Sequence, residues 1–179
     1  MTDPAAAPTS GLPGDGTPYF LDQGEGHRIA LIGQLFTTIA RSEDTGGKIG
    51  LTIATGPAGP PIPAHYHEAV DEAFLVLDGK VRLWLDDQNG SRQVKLMTPG
   101  DFAWCPAKTI HAFQFVGNFT RMLGLNLPGG FERFFDLVGT PYQLHVLAEA
   151  QPFPTPEQFR EASQQFDVVY LREYDLSAE

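Results

Sequence analysis

One cysteine among 179 residues, Cys105, has no partner within the chain, which excludes a disulfide framework and any cysteine-rich zinc site. Basic side chains are scarce too: twelve Lys and Arg stand against twenty-two Asp and Glu, for a net charge of −10. That balance repels phosphate backbones and anionic lipid, and no Lys/Arg cluster offers a local exception. Nucleic acid and membrane surfaces are therefore set aside as partners. No apolar run approaches the ~20 residues needed to span a bilayer. The opening MTDPAAAPTSGLPGDGTP lacks the basic and apolar regions of a signal peptide, so a cytoplasmic protein is expected.

Turn formers are abundant instead, with fifteen prolines and nineteen glycines. Residues 1–18 carry four of those prolines, three glycines and almost no large apolar side chain, and read as a flexible tail. From Tyr19 to the end at residue 179 a single domain is expected. Short apolar segments follow one another there: HRIALIG, LFTTIAR, KIGLTIAT, EAFLVLDG, KVRLWLDD, QVKLMTPG, DFAWCP, HAFQFVG and TRMLGLNLP. Several alternate polar and apolar residues, as half-buried strands do. Asp78-Gly79 and Asn89-Gly90 read as hairpin turns between them. An all-β sandwich or barrel results, and without an internal repeat one barrel is expected. After Pro128, Phe131, Phe134, Phe135 and Val138 fall at helical spacing. Thr155-Pro156-Glu157-Gln158 carries a capping residue, proline at the first helical position and Gln three after the cap. These short C-terminal helices are expected to pack on the outside of the barrel, and FDVVYL to return as a strand.

His65 and His67 are two apart, so on a strand both imidazoles project from one face within reach of one ion. Glu72 follows across a turn, where an adjoining strand can bring its carboxylate alongside. His111, in PGDFAWCPAKTIHAFQF, is the fourth candidate. Three neutral imidazoles and a carboxylate suit iron, nickel, cobalt, copper, manganese or zinc. An ion that accepts five or six ligands would keep open positions for substrate and oxygen.

The spacing Gly59-x5-His65-x-His67-x4-Glu72-x6-Gly79 resembles the first cupin motif at every defined position. Gly100-x5-Pro106-x4-His111 resembles the second, except that Phe115 stands where the family usually has Asn. PYFLDQGEG, PGGFERFFDLVGTP and PFPTPEQF…FDVVYL extend the likeness, over about residues 18–172, to the single-domain bacterial quercetin 2,3-dioxygenases. The resemblance implies an all-β, jelly-roll-like cupin barrel with a few short C-terminal helices. It implies one divalent metal per chain (nickel, cobalt, manganese or iron) on His65, His67, Glu72 and His111. It also implies O2-dependent opening of a flavonol's heterocyclic ring with release of carbon monoxide, and a homodimer. Glu72 would double as the base that takes the flavonol 3-hydroxyl proton. Strand alternation from the ligands points to Phe74, Val76, Phe113 and Phe115 as apolar pocket walls.

The other candidates have plainer roles. His27 and His145 lack a partner at ligand spacing and read as structural or exposed. Asp71 and Glu68 read as solvated carboxylates, Asp71 with the option of supporting a ligand. Tyr66 should point away from the ligands. Phe74, Trp84, Phe102, Trp104, Phe113 and Phe115 read first as core residues, and Cys105 as a buried thiol. Two other functions fit the same motifs: a metallo-cupin dioxygenase acting on a smaller phenol or diketone, and a non-catalytic cupin that binds a small molecule. A phosphorylated sugar is disfavoured because no basic cluster accompanies the motifs.

Overall fold

The structure is a computed structural model that describes residues 11–143, 154–171 and 173–177. Its strands are β1 (His27–Leu31), β2 (Gln34–Ala40), β3 (Gly50–Gly56), β4 (His65–His67), β5 (Asp71–Asp78) and β6 (Val81–Asp86). They continue as β7 (Arg92–Met97), β8 (Phe102–Cys105), β9 (Ile110–Phe115), β10 (Thr120–Leu127), β11 (Thr140–Pro141) and β12 (Val168–Tyr170). Two sheets result, in the orders β11-β1-β2-β3-β10-β5-β8 and β12-β4-β9-β6-β7. The pairings are antiparallel. Each expected strand segment is therefore a strand, and the all-β expectation stands.

Alternation sets which side of each strand is covered. Along β3 every second residue, from Gly50 to Gly56, is buried, and those between are half-buried. Phe36, Ala54, Phe74, Val76, Leu83, Phe113, Phe115 and Met122 meet between the sheets as one core. Asn89-Gly90 makes the expected hairpin, with β6 and β7 paired from Val81↔Met97 to Asp86↔Arg92. Asp87 fastens that turn, its Oδ1 accepting the N–H groups of Asn89 at 2.8 Å and Ser91 at 2.9 Å.

Asp78-Gly79 behaves otherwise. β5 and β6 lie in different sheets, so this turn carries the chain across the barrel instead of closing a hairpin. Gly79 has φ +76°, and a Cβ there would overlap the Phe119 carbonyl oxygen and Thr120. Close backbone approach from the next connection thus explains the glycine.

The C-terminal helices also differ from expectation. A 3-10 turn (Phe131–Arg133) leads into α1 (Phe134–Val138), and α2 (Pro156–Gln165) follows. Their aromatic side chains do not lie on an outer wall. Phe131 and Phe134 belong to the barrel's own core, with Phe135, Phe159 and Phe166 packed against it. The physical reason is the apolar stripe itself, which only the open end of the barrel could bury. Thr155 and Gln158 form the full capping box at the start of α2. Beyond it, β12 pairs with β4 at the edge of the second sheet. Leu171, Tyr174 and Leu176 then cover Trp84, Ile110 and Ala112 on that sheet's outer side, where Tyr66 also packs. At the N-terminus, the Gly14 N–H donates to Asp44 at 2.7 Å, and residues 1–10 lie outside the described residues.

Candidate metal centre

His65 and His67 both point into the barrel from β4, being 6% and 2% exposed, while Tyr66 between them faces out. His111 on β9 stands directly opposite His65, and Glu72 on β5 faces from the other sheet. The ligand atoms of these four residues all lie within 4.8 Å of one another, and among the described residues this is the one such grouping. Metal bonds of about 2.0–2.2 Å allow donor atoms across an ion to be at most about 4.4 Å apart, so a few tenths of an ångström of contraction would close the site.

The hydrogen bonds of the site indicate what it is built to receive. Nδ1–H of His65 donates to the Pro63 carbonyl at 2.9 Å, and Nδ1–H of His111 to the Thr109 carbonyl at 3.0 Å. In both residues the Nε2 lone pair is thereby freed for the interior, the arrangement of metal-bound histidines. Glu72 Oε1 accepts from Asn126 Nδ2 at 2.6 Å. Its Oε2 lies 2.8 Å from His111 Nε2 and 3.4 Å from His67 Nε2. Yet Oε2 and both ring nitrogens of His67 are buried without an aligned hydrogen bond. Buried polar atoms normally find partners. A cation between the four residues accounts for Glu72 Oε2 and for one ring nitrogen of His67, and the donor set fits a divalent first-row ion.

Protonation follows from the same crowding. Burial, with His111 and His67 nearby, holds His65 well below the usual histidine range. Burial disfavours the ionised carboxylate of Glu72, but the close approach of His111 and His67 outweighs it and keeps the carboxyl well below its ordinary value. Burial likewise opposes a charge on His111; Cys105 Sγ at 3.3 Å and the Glu72 carboxylate prevail and raise it well above the ordinary value. Without metal, therefore, His65 is neutral, Glu72 ionised and His111 protonated at pH 6.5. A metal must displace the His111 proton. Apparent affinity is expected to rise with pH toward the raised value of His111 and to gain nothing more from this proton above it. Calorimetry at pH 6.5 in buffers of different ionisation enthalpy should find protons released on metal binding, and zero release would rule out a protonated His111.

A cavity of about 110 Å³ opens onto His65, Glu72 and His111. Phe74 and Phe113 line it, as alternation from the ligands suggests. Val76 and Phe115 do not; each is 1% exposed and lies in the core. They share the inward face, but a rise of about 3.3 Å per residue carries Val76 some 13 Å along the strand from Glu72. Phe131, Phe134, Phe135 and Phe159 line the cavity's covered end, and Thr52, Asn126 and Tyr170 bring polar groups to the wall. Sequence reasoning passed over Asn126 and Tyr170. The signal for Asn126 was an amide side chain on the same inward phase of TRMLGLNL as Met122.

The remaining candidates are now placed. Asp71 Oδ1 accepts the Ala107 N–H at 2.8 Å, tying the start of β5 to the loop that leads to His111. Glu68 faces Lys108 at 3.5 Å on the surface. His27 Nε2 meets Asp136 Oδ1 at 2.5 Å, and His145 lies outside the described residues. Cys105 is buried, as expected. Phe102 and Trp104 are not core residues, being 60% and 45% exposed. They sit on β8, the edge strand, whose inward phase belongs to Ala103 and Cys105.

Comparison with known proteins agrees with this geometry. The cupin domain family matches residues 52–123, a span that contains all four candidate ligands. Quercetin 2,3-dioxygenase of Bacillus subtilis is 38% identical over 135 residues, which are 75% of this chain and 39% of that protein. Quercetin 2,3-dioxygenase of Aspergillus japonicus is 34% identical over 76 residues, 42% of this chain and 22% of that one. The chain thus spans well under half the length of either. Among solved structures, KdgF from Halomonas sp. superimposes with a TM-score of 0.54 at 17% identity, covering 64% of this chain and 96% of that one. Oxalate decarboxylase from Bacillus subtilis gives 0.52 at 16% identity, covering 57% and 27%. With the two antiparallel sheets and the histidines and glutamate of both motifs gathered at one point, residues 52–123 match the cupin domain family.

Proposed function

We propose that the protein is a metal-dependent dioxygenase that opens the heterocyclic ring of a flavonol such as quercetin with O2 and releases carbon monoxide. The observation that carries the reading is the convergence of His65, His67, Glu72 and His111, three of which, His65, Glu72 and His111, line an aromatic cavity. Similarity to the two quercetin 2,3-dioxygenases supports the reaction class. The four residues would hold one divalent ion, nickel, cobalt, manganese or iron. When bound, that ion would supply Lewis acidity, stabilising the substrate's enolate oxygen and giving O2 a place to meet it.

The chain's own residues supply the rest. Glu72 is ionised at neutral pH, and Asn126 fixes its Oε1. A carboxylate oxygen has two lone pairs, so Oε2 can face the ion and still accept the proton of a substrate hydroxyl. Phe74, Phe113 and Phe131 give the cavity flat apolar walls that exclude water from the enolate. A cytoplasmic location, a homodimer, and a division into a tail over residues 1–18 and a cupin domain over 19–179 belong to the same proposal.

One observation favours a second reading. Pockets for drug-sized ligands usually hold about 300–1,000 Å³, whereas this cavity holds about 110 Å³. A three-ring flavonol needs the cover of Phe131, Phe134, Phe135 and Phe159 to give way; a smaller phenol or a diketone does not. The deciding experiment supplies the metal-loaded protein, in air, with quercetin or with acetylacetone and follows substrate absorbance and carbon monoxide together. The flavonol reading expects loss of quercetin absorbance with stoichiometric carbon monoxide and none under nitrogen. Turnover of acetylacetone alone would replace it with the second reading. No O2-dependent turnover of either, with any of the four metals, would leave a small-molecule-binding cupin.

A further inference from the structure

β12 brings one polar side chain into the cavity that neither metal binding nor proton transfer uses. Tyr170 stands directly opposite His65 in the antiparallel pairing of β12 with β4. Directly opposed residues project from the same face of a sheet, with Cβ atoms about 4.5–5.5 Å apart. Because the His65 imidazole points into the barrel, the Tyr170 ring does too, and it lies among the cavity's lining residues. Its ring centroid is 5.2 Å from that of His65 and 4.7 Å from that of Phe159, which hold it from two sides.

Two other tyrosine hydroxyls, those of Tyr19 and Tyr174, show what is normal in this protein. Tyr19 donates to the Ile39 carbonyl at 2.7 Å and Tyr174 to Asp86 at 2.5 Å. The Tyr170 hydroxyl has no hydrogen-bond partner among the described residues. A half-buried phenol in an apolar cavity usually finds one. Other polar groups of the wall are engaged internally: Asn126 Nδ2 with Glu72, and Thr52 Oγ1 with Thr38 Oγ1 at 3.2 Å. An unengaged donor beside a ligand histidine is placed to meet an oxygen of whatever occupies the open side of the centre.

We propose that Tyr170 is a substrate-binding residue, its hydroxyl donating a hydrogen bond to the second oxygen of a ligand whose first oxygen lies at the metal centre. The substrate class is then an enolate with a neighbouring carbonyl, as in an α-hydroxyketone or a 1,3-diketone, in preference to a ligand with one donor atom. The inference rests on the metal-dependent reading above and narrows it. The tilted contact of Phe159 with Tyr170 makes α2 the element that holds this donor in place.

The test uses the cobalt-loaded full chain without oxygen, titrated with 3-hydroxyflavone, with acetylacetone and with azide, each followed by its absorbance change. Tyr170→Phe removes one oxygen atom and keeps the ring packing. It is expected to weaken the two-oxygen ligands by roughly 10- to 100-fold, as loss of a hydrogen bond to a charged partner does. Cobalt content and azide affinity should stay within about twofold of wild type by the same reasoning. Unchanged binding of both two-oxygen ligands would overturn the assignment. So would an equal loss for all three ligands, which would mark Tyr170 as packing only. If the wild-type protein binds cobalt and azide but neither enolate, the metal-dependent enolate reading itself fails, and this role for Tyr170 with it.

Discussion

Replacing Glu72 by glutamine should cut turnover by about 10²–10⁴-fold at saturating metal, the span associated with loss of a positioned general base. The side chain is 6% exposed, and its two oxygens have separate duties. Oε1 accepts from Asn126 Nδ2 at 2.6 Å, while Oε2 is turned toward the histidines. Glutamine has nearly the same shape, but only one of its two terminal atoms can accept. With its oxygen toward Asn126, its NH2 group faces the ion and cannot ligate. Turned round, it sets NH2 against NH2 at the Asn126 contact, leaving buried donors unpaired at about 1–3 kcal/mol. Either way the carboxylate charge at the ion is lost, so the metal is held more weakly and the proton acceptor is gone. The measurement is kcat per bound ion, with metal content determined on the same samples. Near-normal turnover per ion would remove Glu72 as the base and leave it as a ligand only.

Much of this centre was legible from sequence because it depends on short-range geometry. His65 and His67 share a face by the two-residue period of a strand, and Glu72 needs only one turn to return. His111 could be joined to them only through a family resemblance, since no local rule pairs β9 with β4. What escaped was long-range. Asp78-Gly79 has the composition of a hairpin turn, but composition cannot reveal that β6 would pair with β9 and β7 rather than with β5. Phe102 and Trp104 look like core until β8 proves to be an edge strand. Tyr170 lies 105 residues from His65 in sequence (170 − 65), and only the pairing of β12 with β4 makes them neighbours. The FERFFDLV stripe was visible as amphipathic; which surface it would cover depended on where the barrel stayed open.

These long-range features serve one end. Asn126 reaches Glu72 from β10, Asp71 fastens the loop before His111, and α2 sets Phe159 against Tyr170. Segments remote in sequence therefore fix the orientation of side chains that the motif only supplies. Such supporting contacts decide whether a ligand set is pre-formed or must be gathered by the ion. Here His65 and His111 are already turned by backbone carbonyls, whereas His67 is held by packing alone.

His67→Ala removes one of the four converging donors and should weaken metal binding by more than about 100-fold, since even removal of outer partners costs about 10–100-fold. The residue is 2% exposed, packs edge-on to Phe131 at 4.4 Å between centroids, and has both ring nitrogens without a hydrogen bond. In the metal-free protein its removal has two opposed effects. A buried side chain's packing is lost, but two buried polar atoms that cost about 1–3 kcal/mol each are lost with it. The metal-free melting temperature should therefore change little. With metal the two proteins diverge. An ion present at 1,000 times its Kd stabilises the folded state by about 4 kcal/mol, which at about 2–4 °C per kcal/mol for a chain of this size raises the wild-type midpoint by about 8–16 °C. At the same concentration a site weakened 100-fold gains only about 1.4 kcal/mol, or about 3–6 °C. Thermal melts of both proteins with and without nickel or cobalt measure the difference directly. Equal metal-induced shifts in the two would place the bound ion away from His67.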